Sequence, residues 1–159
     1  MKLIHYSRTP IAKLRSRHQW GKCTRNDKPN GLWVSVEDSD YSWHDWCIAE
    51  DFSISALQFP HRVELVHDAN ILLLDTDDKI LAFTDEYKNP PPEIQDSRWT
   101  SSWWIDWKRV AREYQGIIIT PYSWELRLDS RVNWYYGWDC ACGVIWNKRA
   151  IASLEGAFE

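Results

Sequence analysis

The sequence predicts an α+β fold, and three observations carry that prediction. Short β-rich segments recur along the chain, the helical stretches among them follow no regular strand–helix–strand alternation, and no internal repeat or low-complexity tract interrupts the pattern. At 159 residues the chain reads as one domain, 1–159, large enough to build a core without metal or disulfide staples.

Taken in order, the first predicted strand is Leu3–Tyr6, closed by Arg8-Thr9-Pro10. Residues Ile11 to Asn30 are basic and polar, and their later part reads as loop. The Pro29-Asn30-Gly31 turn then leads into an alternating strand, Gly31–Val36. Ser42 caps a helix reaching towards Phe52, with Trp43, Trp46, Cys47 and Ile48 at helical spacings. Arg62–Val66 and Ile71–Leu74 read as a strand pair joined by the turn His67-Asp68-Ala69-Asn70. Asp77–Tyr87 suits a helix, its leading acids complementing the helix dipole, and Pro90-Pro91-Pro92 breaks regular structure after it. The best helix runs from Asp106 to Gln115, with Gly116 expected to end it and to open the buried strand Gly116–Thr120, stopped by Pro121. The segment from Trp134, with Gly143–Trp146, is expected to supply the last strands.

Charge and composition narrow the function. Nineteen basic and 23 acidic residues give a formal charge of −4, which argues against broad electrostatic binding to a duplex. A local exception is the early run Lys13, Arg15, Arg17, Lys22, Arg25 and Lys28, with no acid between Met1 and Asn26. It is either a solvated face or a landing site for a phosphate-bearing partner or cofactor. No segment approaches the length of a membrane span, and MKLIHYSR lacks the apolar core of a signal peptide. A cytoplasmic protein with reduced cysteines is therefore expected. Cys23, Cys47, Cys140 and Cys142 do not follow the paired CxxC spacing of zinc sites and read as buried thiols, with no metal site expected.

Twelve tryptophans are more than packing alone requires, and the block Trp134–Asn147, WYYGWDCACGVIWN, sets three of them beside two tyrosines. Here four aromatics surround Asp139. Flat rings with polar edges suit a planar ligand, and a carboxylate desolvated among them is a candidate catalytic group. The same block also reads as a packed strand with its Asp in a solvated turn.

The order of elements resembles that of the ADP-ribosyltransferases, in the compact form with a His–aromatic–acid triad. The residues that carry the resemblance are Leu3-Ile4-His5 at the first strand, Gly31-Leu32-Trp33-Val34-Ser35 at the second, and Asn70–Asp75 at the following turn and strand. After them come the helix running into Gly116-Ile117-Ile118-Ile119, and Asp139 ahead of Val144-Ile145-Trp146-Asn147. The chain is also similar to small Trp-rich proteins of phage and bacterial origin, which places an effector in the host cytoplasm if phage-encoded.

This resemblance implies a compact split antiparallel sheet with a few short helices, and NAD as the substrate. By the same resemblance, His5 hydrogen-bonds the adenosine ribose, and Trp33 stacks on the nicotinamide where the family usually has Tyr. Ser35 donates to the carboxamide or holds its strand. Asp139 stands in for the usual Glu that contacts the 2′-OH of the nicotinamide ribose, with Glu125 as its competitor. Arg8 is placed to pair with the pyrophosphate, and Ser7, Tyr136 and Trp138 complete the expected cofactor-binding set. The acceptor is unknown: a protein, a nucleic acid or a small molecule. Two other classes compete, a module that sequesters a nucleotide or base by stacking, and an interaction protein with tryptophan anchors.

Overall fold

A computed structural model describes residues 1–19, 28–89 and 104–156. Alternating or wholly apolar runs form the strands β1 (Leu3–Ser7), β2 (Leu32–Val36), β3 (Phe59–Leu65) and β4 (Ile71–Leu74). A two-strand ribbon follows from β5 (Lys88–Asn89) and β6 (Trp104–Ile105), then β7 (Gly116–Ile119), β8 (Cys142–Ile145) and β9 (Ile151–Gly156). Helices α1 (Trp43–Ala49), α2 (Asp77–Tyr87) and α3 (Trp107–Glu113) lie between them, so the fold is α+β.

Seven strands form one sheet in the order β4-β7-β8-β2-β1-β3-β9, antiparallel at every junction except β4–β7. Strands β7 and β8 are buried on both faces, which accounts for their continuous apolar sequences. The sheet is curled, and the reason lies in one short connection. Strands β8 and β9 lie four places apart, roughly 19 Å across a flat sheet at about 4.8 Å per strand. Only residues 146–150 join them, and three of those, Lys148–Ala150, form a compact 3₁₀ turn. The chain closes that gap by drawing the β3–β9 edge back towards β8, where the Val66 amide donates to the Ala150 carbonyl at 3.0 Å.

Each helix begins on a side-chain cap. Ser42 and Asp45 form a reciprocal capping box on α1, the Thr76 hydroxyl accepts from Lys79 N on α2, and Asp106 accepts from Arg109 N on α3. The core centres on aromatic rings. Phe83 from α2 meets Trp134 at 5.3 Å between centroids, and Trp107 from α3 lies 5.9 Å from Trp134 and 6.4 Å from Trp138. The Trp134 indole N–H donates to the Thr84 hydroxyl at 2.8 Å, which in turn donates to the Ile80 carbonyl. No described helix is long and apolar enough to cross a membrane.

Several elements differ from expectation. The aromatic block does not start as a strand: Ser130–Gly137 forms 3₁₀ turns, and only Cys142–Ile145 joins the sheet. Its aromatics occur in a run rather than alternating, so they wrap the core instead of lining one face of a pleat. Strands β3 and β4 are not a hairpin. They belong to opposite halves of the sheet, and β4 pairs in parallel with β7. Gly116 does not cap α3, which ends at Glu113 with Tyr114 extended. A Cβ at Gly116 would lie 2.8 Å from the Val144 carbonyl oxygen, so the glycine permits the close approach of β7 to β8. Strand β9 carries no signal that separated it from a loop. Lys22, Cys23, Arg25 and Pro90-Pro91-Pro92 lie outside the described residues.

Candidate functional site

The site arises where β1 and β2 part. Their ladder has two pairs, Leu3↔Val36 and Ile4↔Ser35, and the next residue along β1, His5, makes none with β2. The Trp33 carbonyl, which a continued ladder would have paired with backbone, accepts instead from the His5 ring at Nδ1, 2.6 Å away. One imidazole thus takes the place of a backbone donor and props the two strands apart.

The opening is a cavity of about 240 Å³. Strand β1 lines it with Ile4, His5 and Tyr6, and β2 with Trp33, Val34 and Ser35. Lys28, Trp43, Ser53 and Ala56 form further walls, and the approach to β8 contributes Gly137, Asp139, Cys140 and Cys142. His5, Trp33, Ser35 and Asp139, four residues spread over 135 positions of sequence, therefore share one cleft.

Each is held in a defined state. Burial lowers the His5 pKa, the Trp33 carbonyl opposes that shift, and nearby His61 adds to it. The ring is therefore neutral at pH 7, with Nδ1–H committed to Trp33 and Nε2 left as the acceptor. Trp33 packs on Trp138 at 5.0 Å between centroids, and the Lys28 ammonium sits 5.3 Å from its ring centre. The Ser35 hydroxyl accepts from the Trp43 amide at 2.9 Å, tying the start of α1 to β2, and among the described residues its own hydrogen has no acceptor.

Asp139 precedes β8 and is about one-fifth exposed. Burial raises its pKa, while Lys28 and then Arg127 pull it back down. The Arg127 guanidinium is 3.8 Å from its carboxylate and also lies 5.8 Å from the rings of Trp124 and Tyr136. The result is a partly desolvated carboxylate between two cations.

Other expected site residues sit elsewhere. Trp138 is fully buried and backs Trp33 from the core rather than facing the cleft. Tyr136 is 57% exposed, 5.8 Å from the Arg127 guanidinium, and does not line the cleft. The Ser7 hydroxyl donates to the Thr9 carbonyl and contacts His61 Nε2, and Arg8 is exposed; neither lines the cleft. Glu125 is exposed and also lies outside it, which leaves Asp139 as the carboxylate of the site.

Tyr6 and Trp43 line the cleft without having stood out in the sequence. Tyr6 keeps its phenol protonated, its pKa raised by burial and by Glu37. Trp43 stacks on Trp46 at 4.9 Å and 18°. The capping signal at Ser42 was the available clue, because it fixes Trp43 as the first residue of α1 beside Ser35. Cys47, Cys140 and Cys142 are buried free thiols; burial pushes Cys47 up to about 11, and Cys140 is raised by its contact with Cys142 and by burial. Comparison of the chain with protein-family models, curated proteins and solved structures gives no match.

Proposed function

We propose that this cleft binds the nicotinamide riboside half of NAD and that the protein is an ADP-ribosyltransferase. The observation that supports this reading is the convergence of His5, Trp33, Ser35 and Asp139 on the split between β1 and β2. At about 240 Å³ the cavity is a little smaller than a typical ligand site of roughly 300–1,000 Å³, which suits part of a dinucleotide with the remainder along the open mouth.

In this reading Trp33 stacks on the nicotinamide ring, and its packing on Trp138 keeps the indole from turning. His5 Nε2 accepts from a ribose hydroxyl. As the glycosidic C–N bond breaks, nicotinamide leaves with the bonding electron pair and positive charge develops on the ribose. The Asp139 carboxylate stabilises that charge and orients the 2′-OH. An acceptor nucleophile then bonds to the ribose carbon and releases its proton to solvent. The protein's contribution is to position two partners and to shield the cation from water.

Nicotinamide release from NAD by the purified protein, with cell lysate as the source of acceptor, tests the reading. Asp139→Ala is expected to lower release by about 10²–10³-fold, the usual effect of deleting one transition-state contact. Binding of NAD, followed by quenching of tryptophan fluorescence, should persist in the variant. Binding without release by the wild type would overturn the transferase reading and leave a nucleotide-sequestering module.

A further inference from the structure

We infer that a second surface, separate from the cleft, binds the phosphodiester backbone of a nucleic acid. A groove of about 560 Å³ is lined by Arg17, Lys108, Arg112, Lys148 and Arg149, with no acidic residue among its walls. All five cations are exposed, and none forms an ion pair among the described residues. In a chain of net charge −4, such a concentration of positive charge is a local departure from the overall balance.

The groove is built from three segments locked together. The Arg17 amide donates to the Trp146 carbonyl at 2.8 Å, and the Lys148 amide donates to the Ser16 hydroxyl at 3.1 Å. Gln19 clamps Asn30 through its side-chain amide. Lys108 and Arg112 are four residues apart and project from one face of α3, about 6 Å from each other at their bases. The Trp146 indole N–H donates to the Tyr114 carbonyl at 2.7 Å, which ties this frame to the end of α3, so the charges are carried on segments held by hydrogen bonds.

The chemistry of the walls selects the partner class. Trp146 is buried and Ala111 is small, so among the described residues the groove offers no large exposed apolar side chain to anchor a protein. Guanidinium and ammonium groups without acids or apolar anchors match phosphate oxygens, whose contacts position a strand without reading its sequence. The inference stands whether or not the cleft turns over NAD.

Fluorescence anisotropy of the full chain with a labelled single strand of about 20 nucleotides, titrated between about 50 and 200 mM salt, tests it. Five contacts predict a slope of log K against log salt of up to about −3.5, at about −0.7 per phosphate. Arg112→Glu with Arg149→Glu should weaken binding at least tenfold at low salt, while Arg62→Glu, on β3 and outside the groove, should not. The milder pair Lys108→Gln with Lys148→Gln should lower the slope by about 1.4 and guards against misfolding of the charge reversal. The inference fails if the wild type shows no salt-dependent binding, if Arg62→Glu weakens binding equally, or if polyglutamate at equal charge displaces the strand, which would point to an acidic protein.

Discussion

His5 shows how much one side chain decides at the residue scale. A strand end with an ordinary apolar residue there would leave the Trp33 carbonyl without its ring partner, and the strands would have less reason to part. Asp139 carries the corresponding electrostatic decision. Its carboxyl is raised by burial, while Lys28 and Arg127 act in the opposite direction and favour the ionised form. Under the proposed transferase reading, release of nicotinamide should rise with pH through a midpoint above the ordinary aspartate value. Arg127→Gln removes a charge that favours the carboxylate, so the folded pKa rises further and the midpoint should move to higher pH. A pH–rate profile of the two proteins measures this directly. An unmoved midpoint would mean that a different group controls the profile. His5 and Trp33 could be singled out in the sequence because the order of elements resembles that of the ADP-ribosyltransferases, which marks one position on each of the first two strands. The cation pair around Asp139 could not be, because Arg127 and Lys28 are 99 positions apart.

Elements here are terminated by local chemistry but placed by tertiary contacts. Helix α2 runs from Asp77 to Tyr87 as its leading acids predict, and the Thr76 side chain caps it. What α2 does depends on Thr84, whose hydroxyl is buried and receives the Trp134 indole N–H from 50 residues away. Thr84→Val keeps the shape but leaves that N–H unpaired in the core, at a cost of about 1–3 kcal/mol. A thermal melt should register this as a fall of roughly 2–4 °C per kcal/mol, with Thr84→Ser restoring most of it. Equal midpoints for wild type and the valine variant would show that water or another group satisfies the indole. The aromatic block illustrates the opposite case. Its composition pointed to a strand, yet Asp129 caps 3₁₀ turns and the rings of Trp134 and Trp138 fill the space between sheet and helices.

For the whole molecule, the tryptophan cluster ties the layers into one cooperative unit. Trp107 comes from α3, Trp134 and Trp138 from the 3₁₀ region, and Trp33 from the sheet, and each ring lies within 6.4 Å of another. Unfolding followed by tryptophan fluorescence and by far-UV circular dichroism should give coincident transitions. Separate midpoints would mean that the β3–β9 edge opens independently of the aromatic core. The same architecture keeps the cleft and the basic groove apart: one lies where β1 leaves β2, the other where residues 16–19 and 148–149 meet α3.

The sequence by itself determined the α+β class and most strand and helix positions. Those properties follow from local periodicity, capping and composition, which act over a few neighbouring residues. Only the tertiary structure decided that β4 pairs with β7, that the sheet curls through the short β8–β9 link, and that Trp138 supports the cleft from behind. It also decided that Arg17, Arg112 and Arg149 share one groove. Strand order and the meeting of distant side chains are settled by packing the whole apolar surface at once, and no window of the sequence contains that information.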